Sequence, residues 1–236
     1  AYKSLVESIN HASWSLQTKV DIEWVDAKSL SPNEIIAQVK NMDCVIIPGG
    51  FGKEGIDNKL TAINYCRLNK IPILGICLGM QLMVIEYLQN EIKLDNVISS
   101  EWLTKENKDD TSIKYNIGVG FIEEWMTEKG DLEKRTTEGD LGGTMRLGNY
   151  TTKLDKSYKV YQLYSESEYI TERHRHRYEV NRNLIDVLNQ NNLVVSGVSS
   201  DNLPEIVELK NHPYFVGCQF HPEFKSTPFN PRPLFL

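Results

Sequence analysis

The hydrophobic positions of the first hundred residues fall into short runs that alternate between strand-like and helix-like spacing. Continuous apolar runs predict strands that are buried in a parallel sheet, whereas apolar positions at helical spacing predict helices. The predicted elements are, in chain order, a strand over 20–25, a helix over 34–40, a strand over 43–47, a helix over 60–68, a strand over 71–76 and a helix over 82–88. This alternation predicts the α/β class, with an open, mostly parallel central sheet and helices on both faces.

The carboxyl-terminal third returns to strand-like patterns, and the predicted strands cover 175–180, 193–198, 206–209 and 214–220. Between the two regions, the charged and glycine-containing stretches 105–110 and 127–140 predict loops. The glycines of 142–148 surround Arg146, and such spacing is typical of a lid that closes over a ligand. Because no internal repeat or linker is visible, the whole chain, 1–236, is interpreted as one domain.

Composition narrows the function classes. The chain has 236 residues, a formal net charge of −6 and a pI near 5.5, which argues against a nucleic-acid partner. We expect no membrane span, since no apolar run approaches the roughly 20 residues that a bilayer requires. The amino terminus lacks the layout of a signal peptide, and the four cysteines form no C-x-x-C pair. These features favour reduced thiols and a cytoplasmic location.

Cys77 carries the strongest chemical signal. It ends the apolar run 71–76, and Gly75 and Gly79 lie two residues to either side of it. This pattern is typical of a nucleophile on a sharp strand-to-helix turn, where glycine avoids the clash that a Cβ atom would cause. The amino terminus of the following helix would also stabilise negative charge on the sulfur. The competing interpretation is a small buried hydrophobic residue, which is the usual role of a free cysteine.

His221 and Glu223 offer the partners that a thiol nucleophile needs. In an extended segment these two residues project to one side, so the carboxylate can orient the imidazole in a Cys-His-Glu relay. The backbone N–H of Leu78 and one N–H of the Gly49–Gly52 loop are candidate oxyanion donors at the carboxyl ends of strands. Taken singly, the loop is equally consistent with a phosphate cradle or a simple turn, and His221 with a structural histidine.

The basic run Arg173-His174-Arg175-His176-Arg177 permits two other interpretations. Alternating basic residues on a strand suit a phosphate or nucleic-acid stripe, and His174 with His176 suits a pair of metal ligands. Because the sequence shows no cysteine or acidic partner at zinc-like spacing, we predict no metal site.

Together these residues resemble the class I (triad) glutamine amidotransferases, and in particular the glutaminase domains of CTP synthases. The elbow 75–81 and His221-Pro222-Glu223 match the general amidotransferase signature. The stretches 48–52, 142–148, 172–181 and 218–224 match the CTP synthase type, and the resemblance covers nearly the whole chain.

The resemblance implies a chemistry and a substrate site. Cys77 would attack the side-chain amide of L-glutamine and form a γ-glutamyl thioester, His221 would transfer protons, and Glu223 would orient His221. The implied substrate-binding residues are Gly50, Leu78, Gly79, Met80, Gln81, Glu101 for the α-ammonium group and Arg175 for the α-carboxylate. From the residues alone, a solvated surface position is the more usual role for Glu101. One anion and one cation would nevertheless suit the two charged ends of a zwitterionic amino acid.

The resemblance also implies features outside this chain. No cofactor is expected in this domain, whereas a full-length enzyme would use ATP and Mg²⁺, respond to allosteric GTP and form a homo-oligomer, a tetramer. The synthetase domain is absent, and a strand before Tyr2 and a helix after Phe235 are also expected in the family. The alternatives are an amidotransferase with another acceptor, a γ-glutamyl hydrolase, or a catalytically dead regulatory module.

Overall fold

The computed structural model describes residues 2–103, 113–121 and 145–236. Within these ranges the strands form a seven-stranded and a three-stranded sheet. The strands are β1 (Val45–Ile47), β2 (Ile73–Ile76), β3 (Val97–Ser99), β4 (Asn116–Phe121), β5 (Arg146–Leu154), β6 (Tyr169–His176), β7 (Tyr178–Val180), β8 (Leu193–Val198), β9 (Pro204–Leu209) and β10 (Phe215–Cys218). The α-helices are α1 (Lys3–Ser15), α2 (Pro32–Val39), α3 (Ile56–Asn69), α4 (Leu78–Asn90), α5 (Lys159–Leu163) and α6 (Ile185–Gln190). Short 3₁₀ turns cover Ser100–Trp102, Arg182–Leu184, Pro222–Phe224 and Pro233–Phe235.

The larger sheet has the strand order β1-β2-β10-β9-β8-β5-β6. β1, β2 and β10 are parallel neighbours, whereas the other four neighbouring pairs are antiparallel. The predicted α/β class is confirmed, but the described part of the sheet is less parallel than expected. Only the short segments 199–203 and 210–214 connect β8 to β9 and β9 to β10, and a parallel connection would need a longer crossover.

Helices pack on both faces of this sheet, as predicted. Ile73 and Phe215 point into the core cluster that α2, α3 and α4 complete, and their neighbours Leu74 and Val216 point into the cluster on the other face with α1 and α5. This alternation along each strand is the period-two pattern of a sheet covered on both sides. The helix α4 contacts strands of both sheets and is buried from Leu78 to Leu88.

Some of the helices and strands predicted from the sequence are confirmed, and others are wrong. The predicted helix 34–40 is confirmed as α2, and a capping box begins it, since the Ser31 hydroxyl accepts from the Glu34 N–H and Glu34 accepts from the Ser31 N–H. The strand over 20–25 is wrong, because residues 18–26 form no helix or strand and Trp24 is 61% exposed. The predicted strand 175–180 divides at Arg177 into the last two residues of β6 and the whole of β7, and these two strands belong to different sheets.

Two further predictions fall wholly or partly outside the described residues. The predicted loops 105–110 and 127–140 lie outside the described residues, as do the first three residues of the glycine-rich stretch 142–148. The rest of that stretch leads into β5, whose first residue is Arg146, so this part is strand rather than lid. Across the described part of the chain, no helix combines the length and apolar character needed to cross a membrane.

Candidate active site

Cys77 occupies the turn between β2 and α4, so the predicted strand-to-helix turn is confirmed. It is the amino-terminal cap of α4, with φ 53° and ψ −104°, a conformation that side-chain-bearing residues rarely adopt. Its own N–H donates to the Cys218 carbonyl at 2.7 Å, which ties the turn to the end of β10. A strained backbone conformation persists only where the surrounding structure holds it in place, and such conformations are concentrated at functional sites.

The glycines that flank Cys77 allow two close approaches. A Cβ atom at Gly75 would lie 2.4 Å from the Met83 sulfur, and one at Gly79 would lie 2.1 Å from the Ile47 carbonyl oxygen. Both distances are far shorter than van der Waals contact, so a side chain at either position would push the helix away from the sheet. The glycines therefore fix the thiol where the strand meets the helix.

The candidate site lies at the carboxyl ends of three neighbouring parallel strands. β1 ends in the Gly49–Gly52 loop, β2 ends at Cys77, and β10 leads to His221. Because their carboxyl ends lie at one edge of the sheet, the three segments meet there. A Cβ atom at Gly49 would lie 2.8 Å from His221 Cε1 and 3.5 Å from Cys77 Cβ. The glycine loop therefore packs directly on the thiol and the imidazole.

His221 is held between a carboxylate and an aromatic ring. Its Nδ1 lies 2.7 Å from Glu223 Oε1, and its ring stacks on Phe224 with centroids 4.8 Å apart. Because Nδ1 contacts Glu223, Nε2 is the ring nitrogen left free of this contact. Burial alone would lower the pKa of His221, but the hydrogen bonds and charges of Cys77 and Glu223 raise this pKa to about 10. At neutral pH the imidazole is therefore protonated.

The other three cysteines differ from Cys77 in their surroundings. Burial raises the pKa of Cys66 to about 12 and the pKa of Cys218 well above its usual value. Burial and the neighbouring Asp43 also raise the pKa of Cys44. These three groups therefore stay as thiols at neutral pH, which disfavours reaction with electrophiles.

The elbow residues after Cys77 approach the site through their main chain. Leu78 begins α4, so its N–H has no partner within the helix, and its side chain lies against Gly50. Gly79 packs on the Ile47 carbonyl, and the Met80 side chain is fully buried against Gly217. Any contact of Gly79 or Met80 with a ligand therefore involves backbone atoms.

Glu101 and Arg175 approach the site from two other directions. Glu101 follows β3, and its Oε1 accepts from the Gly52 N–H at 3.1 Å, which joins it to the glycine loop. Arg175 lies on the exposed side of β6. The chain on either side of it is tied to the site, because the Arg173 carbonyl accepts from the His221 N–H and the Tyr178 carbonyl accepts from Gln81. The structure shows no direct contact between Glu101 and Arg175.

Gln219 is a site residue that sequence reasoning missed. It is fully buried, and its Nε2 donates to Cys77 Sγ at 3.6 Å, while its Oε1 accepts from Gln81 Nε2 at 3.1 Å. The second N–H of Gln81 donates to the Tyr178 carbonyl at 2.9 Å. The available signal was a polar residue directly after the apolar run of β10, two positions before His221.

The histidines of β6 belong to a buried network rather than to an exposed basic stripe. His174 Nδ1 lies 2.9 Å from His176 Nε2, and Arg146 Nη1 bridges Glu179 at 2.8 Å and Glu205 at 2.7 Å. Burial, Arg146 and His221 lower the pKa of His174 to about 3. Arginines 173 and 175 occupy the opposite, exposed side of the strand. In the described ranges, no group of three or more His, Cys, Asp or Glu side chains is arranged to hold a metal ion.

A family model for "glutamine amidotransferase class-I" matches residues 1–236. The chain belongs to the class I glutamine amidotransferases. It is 48% identical over 236 residues to a CTP synthase of Pelagibacter ubique (strain HTCC1062). This match covers all of the chain and 42% of that relative, so the chain spans less than half of its length.

Solved structures support the same placement. The glutaminase domain of Trypanosoma brucei CTPS, solved with bound acivicin, matches with a TM-score of 0.83 and 32% identity over the whole chain and 85% of that domain's chain. A glutamine amido transferase from Methylobacillus flagellatus shares the fold, with a TM-score of 0.53 and 10% identity over 92% of this chain and 64% of its own. The predicted family is thus confirmed.

Proposed function

We propose that residues 1–236 are the glutaminase domain of a CTP synthase, which hydrolyses L-glutamine and supplies ammonia to a synthetase domain that converts UTP to CTP. The proposal rests above all on one observation. A thiol on a strained helix-capping turn contacts an imidazole whose other nitrogen lies 2.7 Å from a carboxylate. This arrangement is a triad for nucleophilic catalysis.

The first half of the reaction forms the thioester. The Cys77 sulfur attacks the side-chain amide carbon of glutamine, and the carbonyl oxygen becomes an oxyanion. The backbone N–H groups of Leu78 and Gly50 are the proposed donors to this oxyanion, since their residues pack against each other beside the thiol. His221, protonated at neutral pH, gives its Nε2 proton to the leaving nitrogen, and ammonia departs.

The second half releases glutamate. With its proton gone, the His221 imidazole takes a proton from water, which attacks the thioester carbon. The carbon–sulfur bond breaks and the sulfur regains its starting state. Glu223 stabilises the imidazolium in both halves, because its carboxylate holds Nδ1–H throughout.

The substrate ends are assigned to two charged residues. We place the α-ammonium group at Glu101 and the α-carboxylate at Arg175, with Gly50, Leu78, Gly79, Met80 and Gln81 along the substrate side chain. If each charge acts equally in the ground and transition states, Glu101→Ala and Arg175→Ala raise KM for glutamine and leave kcat nearly unchanged. Lys40→Ala, which removes an exposed cation at the carboxyl end of α2, is the control for loss of a positive charge outside the site. An unchanged KM in both site variants would show that the substrate binds to other residues.

The remaining parts of the proposal concern the whole protein. ATP, Mg²⁺ and allosteric GTP are assigned to the full-length enzyme, and no cofactor is assigned to this domain. The partner is a synthetase domain of the same polypeptide, and the full-length assembly is a tetramer. A cytoplasmic location suits a nucleophile that must stay a reduced thiol.

Covalent labelling tests the nucleophile. Acivicin, which is bound in the T. brucei structure, should modify this chain with one adduct per molecule, on Cys77. Intact-mass and peptide mass spectrometry locate the adduct, and Cys77→Ser should abolish it. Labelling of Cys44, Cys66 or Cys218 instead would reject Cys77 as the nucleophile.

Paired product analysis tests the domain assignment. This chain should form glutamate from glutamine slowly and form no CTP from UTP, ATP and ammonium, since it contains no G-x-x-x-x-G-K-[ST] loop. Adding the synthetase domain and GTP should accelerate glutamate formation. CTP formation by this chain would contradict the domain assignment, and a persistent absence of glutamate under all conditions would contradict the catalytic one.

A further inference from the structure

The Cys77 sulfur has a second polar neighbour besides His221. Gln219 Nε2 lies 3.6 Å from Cys77 Sγ, within range for a hydrogen bond to sulfur. The glutamine is fully buried and follows β10, directly beside the turn that carries the thiol. Unlike a histidine, an amide cannot remove a proton from the thiol. Its NH₂ group can only donate, and a donor favours the negatively charged form of the atom that it faces.

The orientation of this amide is set by a second glutamine. Gln219 Oε1 accepts from Gln81 Nε2 at 3.1 Å, so the Gln219 carbonyl points toward α4 and its NH₂ group points toward the sulfur. Gln81 in turn donates its other N–H to the Tyr178 carbonyl at 2.9 Å. Both N–H groups of Gln81 are therefore occupied within the protein. Any contact of the Gln81 side chain with the substrate would therefore use its Oε1 as an acceptor.

We propose that Gln219 is a further catalytic residue, whose amide N–H stabilises the Cys77 thiolate, and that Gln81 is a positioning residue that holds Gln219 in the donating orientation. This inference rests on the proposed function in so far as Cys77 is the nucleophile. It deepens the function by giving the sulfur two separate partners. His221 carries the proton, and Gln219 stabilises the charge without taking part in proton transfer.

The two roles of Gln81 make different kinetic predictions. If the Gln81 side chain held the substrate, Gln81→Met would raise KM. If it acts through Gln219, the same change lowers kcat with little effect on KM, and the losses of Gln81→Met and Gln219→Met are not additive. Additive losses would separate Gln81 from the Gln219 contact.

The decisive test uses iodoacetamide, which lacks the amino-acid ends of glutamine. The Cys77 sulfur displaces iodide and forms a carbon–sulfur bond, so the rate reports thiolate reactivity whether or not glutamine is the substrate. At neutral pH, Gln219→Met should slow alkylation of Cys77 by roughly 10- to 150-fold, the range for loss of one hydrogen bond to a charged group. The midpoint of its pH profile should move upward. Peptide mass spectrometry separates Cys77 from the exposed Cys44.

Two further variants provide controls. Gln219→Glu keeps the size of the side chain but turns a carboxylate oxygen toward the sulfur, so it should slow alkylation at least as much as Gln219→Met. Gln89→Met alters another glutamine of α4, whose Nε2 donates to the Val97 carbonyl at 2.9 Å, and it should react at the wild-type rate. The titratable groups that face the thiol, His221 with Glu223 behind it and Cys218 at the end of β10, are unchanged in all of these variants.

A measurement on the unsubstituted protein covers the case in which the variants do not fold. Alkylation of Cys77 should shift the side-chain amide signals of Gln219 in a ¹H–¹⁵N NMR spectrum and leave those of Gln89 in place. Wild-type alkylation rates in both Gln219 variants, or an unshifted Gln219 amide, would overturn the proposal. Slowed alkylation in a protein that releases no ammonia would instead support the role of Gln219 and reject the glutaminase function.

Discussion

His221 and His174 are both buried, and each ring packs against a phenylalanine of the segment 220–224. Their pKa values nevertheless shift in opposite directions. Contacts with Cys77 and Glu223 raise the pKa of His221 to about 10, whereas burial, Arg146 and His221 lower the pKa of His174 to about 3. Burial disfavours the charged imidazole in both places. The difference lies in the neighbours, since Cys77 and Glu223 favour the charged form of His221, whereas Arg146 and His221 disfavour the charged form of His174.

Arg146 gives the surroundings of His174 their positive charge. Its guanidinium bridges Glu179 and Glu205, the carboxylates nearest the β6 histidines. Because Arg146 pairs with both carboxylates, its positive charge offsets their negative charge. The carboxylates therefore do little to stabilise the protonated forms of His174 and His176. Burial still raises the pKa of Glu205 to about 8 in spite of the arginine. One region thus holds a charged histidine beside the candidate nucleophile, and the other holds neutral histidines in a buried network.

The largest expected difference between the regions is in catalysis. His221→Ala should slow ammonia release by roughly 10²- to 10⁴-fold, because it removes the group that transfers protons. His174→Gln should change kcat by only a few-fold, since His174 does not contact the thiol. Steady-state assays with glutamine compare the two variants. Equal losses would mean that the buried network takes part in the reaction.

The second difference is in stability. Arg146→Met should lower the free energy of unfolding by roughly 3–5 kcal/mol, because it leaves two buried carboxylates without their cation. Arg173→Met, on the exposed side of β6, should change it by less than about 0.5 kcal/mol. Urea unfolding monitored by circular dichroism measures both. A stability loss in Arg146→Met as small as in Arg173→Met would show that the network contributes little.

A smaller effect is expected at the carboxylate that orients His221. Glu223→Gln should slow ammonia release by roughly tenfold, the lower end of the range for one hydrogen bond to a charged group, because the Gln oxygen can still accept from His221 Nδ1. Since Glu223 acts through His221, this effect should largely vanish in the His221→Ala background. If the two losses simply add in the double variant, the pair does not function as a relay.

The most diagnostic difference is in the pH dependence of stability. The raised pKa of His221 adds stability that is fully present below pH 6.5 and is lost as the pH rises through about 10. The lowered pKa of His174 adds stability that is present above pH 6.5 and is lost as the pH falls toward about 3. His221→Gln should therefore flatten the alkaline side of the profile, and His174→Gln the acidic side. Matching profiles in the two variants would remove the contrast between the histidines.

Much of the site was predictable because its signals are local. The elbow at Cys77 depends on glycines two residues away, and the pairing of His221 with Glu223 depends on a spacing of two residues. The capping box at Ser31 is likewise read from four consecutive residues. In each case the interacting groups are neighbours in the chain, so no knowledge of strand order is needed.

The failed predictions concern segments whose structure depends on a distant partner. The apolar residues of 20–25 have no strand beside them in the described ranges, and this segment stays irregular with Trp24 exposed. Arg146 was assigned to a lid, but its pairing with Glu179 and Glu205 joins residues 33 and 59 positions apart. Strand register, which local sequence does not specify, decides such contacts.

By itself, the sequence determined the α/β class and the family and identified Cys77, His221 and Glu223 as the candidate triad, because each is encoded in short continuous patterns. Only the tertiary structure decided which histidine is charged and which is neutral, and which amide faces the sulfur. Gln219 reaches Cys77 because β10 pairs in parallel with β2, in a register that sets Cys218 beside Ile76 and brings residues 142 positions apart into contact. The physical reason is that hydrogen bonds and pKa values depend on distances of a few ångströms, which folding sets and local sequence does not.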